Sequence, residues 1–208
     1  NIGTLTVGQY TLIVTPADKL KIYGSTFAAF TGTVVGVQPG DIITVTYASL
    51  GAPATAAIGD YDITATVAAA PGVLANYNVI LNIGTLTVTP RTLVVTPDNK
   101  AKVFGTLFNA FTGNITGIQN GDAITATYAS AGAPAAAAVG FYSITATLNA
   151  PVGILANYVI TYNTGTLSVG LTVLTVTANN QTMIYGDPDP AFTFTYAGFV
   201  GGDTAAVI

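Results

Sequence analysis

The segment Asn82-Ile83-Gly84-Thr85-Leu86-Thr87-Val88 decides the fold, because it recurs at a fixed distance on either side. Asn1–Val7 has the same seven residues, and Asn163–Val169 reads Asn-Thr-Gly-Thr-Leu-Ser-Val. The copies begin at residues 1, 82 and 163, which is a constant spacing of 81 residues. More than half of the positions are identical between the two complete copies. This period is too long for one turn of a solenoid and suits a small autonomous domain, so the sequence predicts tandem domains.

The boundaries between domains are expected just after each Gly-Thr-Leu-Thr-Val segment. Residues 1–8 are then the last strand of a preceding repeat, 9–89 and 90–170 are complete β repeats, and 171–208 are the truncated start of a further repeat. Only Thr89-Pro90 separates the strands of the two complete repeats. Because proline stiffens this connection and no Gly/Ser-rich linker is present, we expect a linear array whose function is reach.

Thr or Ser alternates with apolar residues through most of each repeat, as in Ile124–Tyr128 and Tyr142–Leu148. This period of two is typical of half-buried strands, and β-branched residues favour them. We therefore expect an all-β fold with little helix, made of about seven short strands per repeat. The strands pack as small β-sandwich-like or β-grasp-like domains. Tyr158–Val169 is predicted to be a hairpin that turns at Asn163-Thr164-Gly165.

The composition argues against several classes of function. The 208 residues include no Cys and no His, and 5 Lys and Arg against 9 acidic residues give a net charge of −4. Nucleic-acid binding needs a basic stripe, and a membrane-spanning helix needs about 18 consecutive apolar residues; we expect neither. Without His or Cys there is no Ser-His pair and no thiol nucleophile, so we predict no enzyme, no catalytic residue and no cofactor. A Thr-rich, charge-poor chain without Cys favours an extracellular location on a bacterial cell surface.

The acidic residues offer one weak metal site. Asp187 and Asp189, in Asp187-Pro188-Asp189-Pro190, could supply oxygen ligands to Ca²⁺, although a proline-stiffened turn is the commoner reason for this pattern. The Gly-Asp pair recurs in all three copies, with its acid at Asp41, Asp122 and Asp203. We expect these carboxylates to cap a turn or a short helix.

The recurring lysines allow a covalent interpretation. Lys21 with Asn76, and Lys102 with Asn157, could form an internal isopeptide crosslink in each complete repeat. The third copy has Met183 in the place of these lysines. Exposed lysines that protect a sheet edge from aggregation are the commoner explanation.

Several short motifs together resemble one known family. The third copy contains Ile184-Tyr185-Gly186-Asp187-Pro188 and Gly201-Gly202-Asp203-Thr204, and the complete copies add Ala-Asn-Tyr before the closing Gly-Thr-Leu-Thr-Val segment. These motifs resemble the MBG domain of the YGX type, a repeat of large bacterial surface proteins and adhesins. The resemblance implies tandem arrays, a cell-surface location and a role in adhesion or as a stalk. Ser25-Thr26 and Thr106-Leu107 depart from the pattern, because they replace the Asp-Pro that follows Tyr-Gly in the third copy.

Three functions remain open at this point. The first is a structural segment of a bacterial surface adhesin or stalk, whose partners are the neighbouring repeats. The second is a module that binds glycans or mucin-like partners on a host surface. The third is self-association into an extracellular filament, joined by donated edge strands such as Asn1–Val7.

Overall fold

The structure is a computed structural model that describes residues 2–207. It is almost entirely β, as predicted, with sixteen strands in the described part of the chain. Seven belong to the first repeat: β1 (Tyr10–Pro16), β2 (Lys19–Ile22), β3 (Gly32–Val35), β4 (Ile43–Ser49), β5 (Gly59–Ala69), β6 (Tyr77–Leu81) and β7 (Gly84–Thr89). Seven belong to the second: β8 (Arg91–Pro97), β9 (Lys100–Val103), β10 (Gly113–Thr116), β11 (Thr125–Ser130), β12 (Gly140–Asn149), β13 (Tyr158–Tyr162) and β14 (Gly165–Gly170). The third copy has β15 (Thr175–Ala178) and β16 (Phe194–Ala197).

Among the described residues, helix is limited to three short 3₁₀ turns, at Leu74–Asn76, Ile154–Asn157 and Ala205–Val207. The first two precede β6 and β13 in equivalent positions. Within residues 2–207, no helix has the length and apolar character needed to cross a membrane.

Each complete repeat divides its strands between two sheets. In the first repeat the orders are β3-β1-β6 and β2-β7-β5-β4. The second repeat has the equivalent orders β10-β8-β13 and β11-β12-β14-β9. The register is also retained, since Ile13 is opposite Val35 in the first repeat and Val94 is opposite Thr116 in the second. Two facing sheets with no packed helix correspond to the sandwich alternative.

The predicted hairpin at Tyr158–Val169 is wrong. β13 joins the three-stranded sheet beside β8, whereas β14 lies in the other sheet between β12 and β9. The connection at Asn163-Thr164 therefore crosses from one sheet to the other. The alternation of residues shows that both segments are strands, but it does not show which sheet each joins.

The chain divides into two compact units. Unit one contains residues 1–93, 117–124 and 150–160, and unit two contains 94–116, 125–149 and 161–208. Unit one thus combines the first repeat with three short segments of the second, residues 90–93, 117–124 and 150–160.

The core of unit one lies between the two sheets of the first repeat. The apolar residues of alternating strand positions point inward and are buried, while the Thr residues between them stay more exposed. The fully buried side chains are Leu12, Val14, Ile63 and Leu86. Burying such a side chain contributes about 1.5–3 kcal/mol, so this layer accounts for much of the stability of the repeat.

Unit two has an equivalent core from the second repeat, in which Val95, Ile144 and Leu167 are fully buried. In the third copy, β15 and β16 pair antiparallel, with Val176 opposite Tyr196. Both strands of this pair are largely exposed.

Residues 2–9 carry no strand. The equivalent strand β7 is held between β2 and β5. Ile2, Leu5 and Val7 have no such neighbours among the described residues and are exposed. The assignment of this segment to a preceding repeat stays a prediction.

Candidate functional site: a joint between repeats

A buried tyrosine and a partly exposed aspartate form a hydrogen-bonded pair in the first repeat. Tyr77 opens β6, directly after the 3₁₀ turn, and its hydroxyl donates to Oδ2 of Asp41 over 2.5 Å. The same hydroxyl accepts the backbone N–H of Gln38 over 2.9 Å. We call Gln38, Asp41 and Tyr77 the socket of repeat one. The hydrogen bond to Asp41, together with burial, raises the pKa of Tyr77.

The second repeat forms the same socket from Gln119, Asp122 and Tyr158. The Tyr158 hydroxyl donates to Oδ2 of Asp122 over 2.6 Å and accepts the N–H of Gln119 over 3.0 Å. The recurring Gly-Asp acid was expected to cap a turn. Its carboxylate instead accepts a tyrosine hydroxyl in both complete repeats.

A residue of the first repeat enters the socket of repeat two, and all the residues involved belong to unit one. Tyr23 follows β2 and is buried, with 3% of its surface exposed. Its hydroxyl donates to Oδ2 of Asp122 over 3.0 Å. Its ring packs edge to face on Tyr158, with 5.5 Å between ring centroids and planes inclined by 79°. One carboxylate oxygen of Asp122 thus accepts two hydrogen bonds, one from a tyrosine hydroxyl of its own repeat and one from a tyrosine hydroxyl of the preceding repeat.

Two asparagines complete this joint with the backbone of the first repeat. Asn157 is buried, and its Oδ1 accepts the N–H of Ile58 over 3.0 Å. Nδ2 of Asn120 donates to the carbonyl of Ala54 over 3.1 Å, and the N–H of Gly24 donates to the same carbonyl over 3.2 Å. The joint therefore combines side-chain and backbone hydrogen bonds with an aromatic contact.

Gly24 allows the close approach. Its φ of +85° lies in the left-handed region, and a Cβ at this position would overlap the side chain of Gln119. Any other residue here would be strained by the positive φ and would also overlap the side chain of Gln119. The Tyr-Gly pair is therefore a matched unit, in which the tyrosine supplies the contact and the glycine allows the turn against Gln119.

The environment of the joint changes the acidity of its tyrosines. Burial, together with the hydrogen bond to Asp122, raises the pKa of Tyr158 to about 12. Burial also raises the pKa of Tyr23, and Asp122 adds to this, while Asn120 and Asn157 oppose it. Both hydroxyls therefore stay protonated and act as donors throughout the neutral range.

A related contact occurs within unit two, between the second repeat and the third copy. Gly105 has a φ of +84°, and a Cβ there would overlap Val200, which occupies the position equivalent to Gln119. The residue before Gly105 is Phe104, in the position of Tyr23. Phenylalanine has no hydroxyl to donate to an acid. Phe104 and Val200 are thus both apolar, whereas their counterparts in the first joint, Tyr23 and Gln119, are both polar.

The structure places the candidate crosslink lysines on backbone carbonyls. Lys21 and Lys102 are buried, which corrects the expectation of exposed edge lysines. Nζ of Lys21 donates to the carbonyls of Ser25, Ala52 and Pro53, and Lys102 repeats these contacts with Thr106, Ala133 and Pro134. Burial lowers the pKa of Lys21.

The proposed asparagine partners lie in other environments. Asn76 is exposed, and the side chain of Asn157 is engaged with Ile58 in the joint. Among the described residues, neither lysine forms a hydrogen bond to its proposed asparagine.

The candidate calcium ligands Asp187 and Asp189 are exposed on the turn after Tyr185-Gly186. The N–H of Asp187 donates to the carbonyl of Ile184 over 3.0 Å, which closes this turn. In the described range 2–207, no group of three or more acidic, His or Cys side chains is placed to hold a metal ion.

The joint was not identified from the sequence, although its parts were visible there. Asp41 and Tyr77 recur as Asp122 and Tyr158, a persistent acid and a persistent tyrosine 36 residues apart. This constant pairing could have indicated a contact within a repeat. Nothing in the sequence indicated that Tyr23 joins the pair of the next repeat.

The fold and the joint define the class of protein as a tandem array of all-β repeats, in which one repeat binds the next directly. The chain belongs to the MBG domain (YGX type) family, whose sequence profile matches residues 12–87, 93–168 and 174–208. This confirms the resemblance drawn from the Tyr-Gly and Gly-Asp motifs. A comparison with curated protein sequences found no match.

Two solved structures show a distant likeness to this chain. The chain is 8% identical to Drosophila N-cadherin EC1-4 with a TM-score of 0.29, over 82% of this chain and 52% of that one. It therefore spans about half the length of the cadherin structure. The I9-I11 tandem from titin is 13% identical with a TM-score of 0.28, over 80% of this chain and 69% of that one. At these TM-scores neither likeness supports an argument about fold or function.

Proposed function

We propose that this chain is a structural segment of a bacterial cell-surface adhesin or stalk, and that its repeats give reach and surface attachment outside the cell. The observation that carries the proposal is the joint at Asp122, where successive repeats are bound by hydrogen bonds and an aromatic contact. A flexible chain of independent domains would need no such contact. A segment that transmits position from one repeat to the next would need it.

The connection between repeats supports the same function. β7 ends at Thr89 and β8 begins at Arg91, so that only Pro90 lies between the two strands. Proline fixes its own φ and supplies no N–H, and it reduces the conformations open to the connection. A short covalent connection and a hydrogen-bonded joint together restrict the angle between repeats more than either would alone.

The proposal includes no chemical reaction. Spacing requires stability and a fixed geometry between domains, and these are the properties that the buried cores and the joint supply. The proposed partners are accordingly the neighbouring MBG repeats of the same chain.

Small-angle X-ray scattering on chains with two, three and four complete repeats tests this function. We expect the maximum dimension to grow by a constant increment for each added repeat, with a cross-section that stays the same. A matched series with Tyr23→Ala at every equivalent position separates the joint from the covalent connection, and should give broader distance distributions. A maximum dimension that does not grow with the number of repeats would contradict the proposal.

A further inference from the structure

The socket of repeat one resembles the occupied socket of repeat two but has no occupant among the described residues. Gln38, Asp41 and Tyr77 repeat the hydrogen bonds of Gln119, Asp122 and Tyr158. Asn76, the equivalent of the buried Asn157, is exposed. The acceptor carboxylate, the tyrosine and one of the two asparagines are therefore present without the Tyr-Gly turn that covers them in repeat two. Pro39 stands in the place of Asn120, so the hydrogen bond that Asn120 donates to Ala54 has no counterpart here.

We propose that the socket of repeat one is a docking site for the Tyr-Gly turn of another MBG repeat, one that precedes it in a chain. The occupant follows from the joint at Asp122, where this turn fits an equivalent socket through the hydroxyl of Tyr23 and the bare backbone of Gly24.

The chemistry of the socket also selects between the two kinds of turn in this chain. In the joint at Asp122, a tyrosine turn faces Gln119. In the contact with the third copy, the phenylalanine turn at Gly105 faces Val200. The turn that contains a tyrosine thus lies against the polar Gln119, and the turn that contains a phenylalanine lies against the apolar Val200.

The socket of repeat one has Gln38 at this position and a carboxylate at Asp41. The third copy also has this acid, as Asp203, so the acid alone does not exclude phenylalanine. The socket of repeat one favours a Tyr-Gly turn because Gln38 stands where the third copy has the apolar Val200, and because tyrosine adds a hydrogen bond to Asp41 that phenylalanine cannot form. This inference rests on the joint between repeats that carries the proposed function. Its test measures the socket of repeat one alone, so its failure would leave the scattering test of that function unaffected.

A chain with one added repeat provides the test. Placing a copy of residues 9–81 directly before Asn1 produces a complete extra repeat, because Asn1–Val7 has the sequence of Asn82–Val88. The original 208 residues remain intact. Hydrogen–deuterium exchange then follows the amides around Gln38 and the loop of the added copy equivalent to Ala54–Ile58.

Docking should slow exchange at Gln38 by about fivefold or more relative to the 208-residue chain, which is the effect of about one hydrogen bond. Replacing the added copy's Tyr23 by Phe should remove most of the slowing, and Tyr23→Ala should remove all of it. These variants do not alter the original chain, so a failure of that chain to fold cannot produce the result.

Three outcomes would overturn the inference. Equal exchange at Gln38 with and without the added repeat would show that the socket takes no such turn, and equal slowing by the Tyr and Phe versions would remove the selectivity. In a third arm, a separate 208-residue chain is added in molar excess to the chain that lacks the added repeat. Slowing by this untethered chain, with none from the added repeat, would identify a second molecule as the occupant and would contradict the proposal.

Discussion

Tyr158 and Tyr23 donate to the same oxygen, Oδ2 of Asp122, over 2.6 and 3.0 Å. The first hydrogen bond lies within the second repeat, and the second comes from 99 residues earlier in the chain. Because one carboxylate serves both donors, the interaction that closes a repeat is also the interaction that binds the preceding one. The joint and the fold of repeat two are therefore energetically coupled.

A double-mutant cycle with Tyr23→Phe and Asp122→Ala should reveal this coupling. Tyr23→Phe removes one buried hydrogen bond and should cost about 1 kcal/mol, whereas Asp122→Ala leaves two hydroxyls without an acceptor and should cost more. Chemical denaturation of the single and double variants should give a coupling energy of about 1 kcal/mol. Tyr185→Phe is the matched control, because Tyr185 is fully exposed and its variant should match the parent. Additive single variants would show that Tyr23 and Asp122 act independently.

Alkaline pH should open the joint before it unfolds the cores. The pKa of Tyr158 is about 12 in the folded chain, against about 10 in an unfolded one. Because the folded pKa is the higher one, the stability due to the protonated hydroxyl is complete below about pH 10 and is lost as pH rises through about 12.

Tyrosinate absorbance and circular dichroism, followed together from pH 8 to 13, would check this order. Tyr158→Phe should remove one tyrosine that ionises only near pH 12. The free energy of unfolding of this variant should therefore fall less between about pH 10 and 12 than that of the parent. If every tyrosine titrated near its ordinary pKa while the β signal remained, the protection of Tyr158 would be absent.

The sequence predicted the repeats and strands better than the joint, for physical reasons. Strand character is local, and Thr-Leu-Thr-Val shows it within four residues by alternation. Sheet membership depends on distant partners, which is why β13 and β14 were mistaken for a hairpin. The burial of Lys21 was likewise missed, since the carbonyls of Ala52 and Pro53 that satisfy it lie 31 and 32 residues away. Tyr23 was missed because its acceptor belongs to the next repeat.

Glycine-to-alanine substitutions should separate steric contact from backbone cost. Gly24, Gly105 and Gly186 have φ values of +85°, +84° and +97°, so alanine pays a similar backbone cost at each, about 1 kcal/mol. A Cβ would overlap Gln119 from Gly24 and Val200 from Gly105, but it meets nothing within 4 Å at Gly186. Gly24→Ala and Gly105→Ala should therefore lower the free energy of unfolding by about 1–3 kcal/mol more than Gly186→Ala does. Equal losses at the three positions in thermal denaturation would show that the neighbours yield without cost.

Lys21→Met tests whether a buried ammonium stabilises the first repeat. The Lys21 ammonium has three N–H donors, and the carbonyls of Ser25, Ala52 and Pro53 accept them. Methionine has a similar length but no donor, and the third copy already has Met183 at this position. The substitution relieves the cost of burying a charge, which is the cost that lowers the pKa of Lys21. It also removes the lysine donor from three carbonyls. Those of Ala52 and Pro53 keep the backbone N–H groups of Phe27 and Ala56 over 2.9 and 3.1 Å, whereas that of Ser25 loses its donor, at about 1–3 kcal/mol for a group left unsatisfied.

The second effect should prevail in Lys21→Met, because three charge-assisted hydrogen bonds are lost and the carbonyl of Ser25 is left without a donor. We expect a loss of about 1–3 kcal/mol in the free energy of unfolding, measured by chemical denaturation. Lys19→Met is the matched control on the same strand, since Lys19 is only half-buried, and it should change stability by less than about 0.5 kcal/mol. Lys102→Met should reproduce the loss in the second repeat, where the same three contacts recur. A Lys21→Met chain as stable as its parent would mean that water satisfies the carbonyls equally well, and that the lysine is dispensable to the fold.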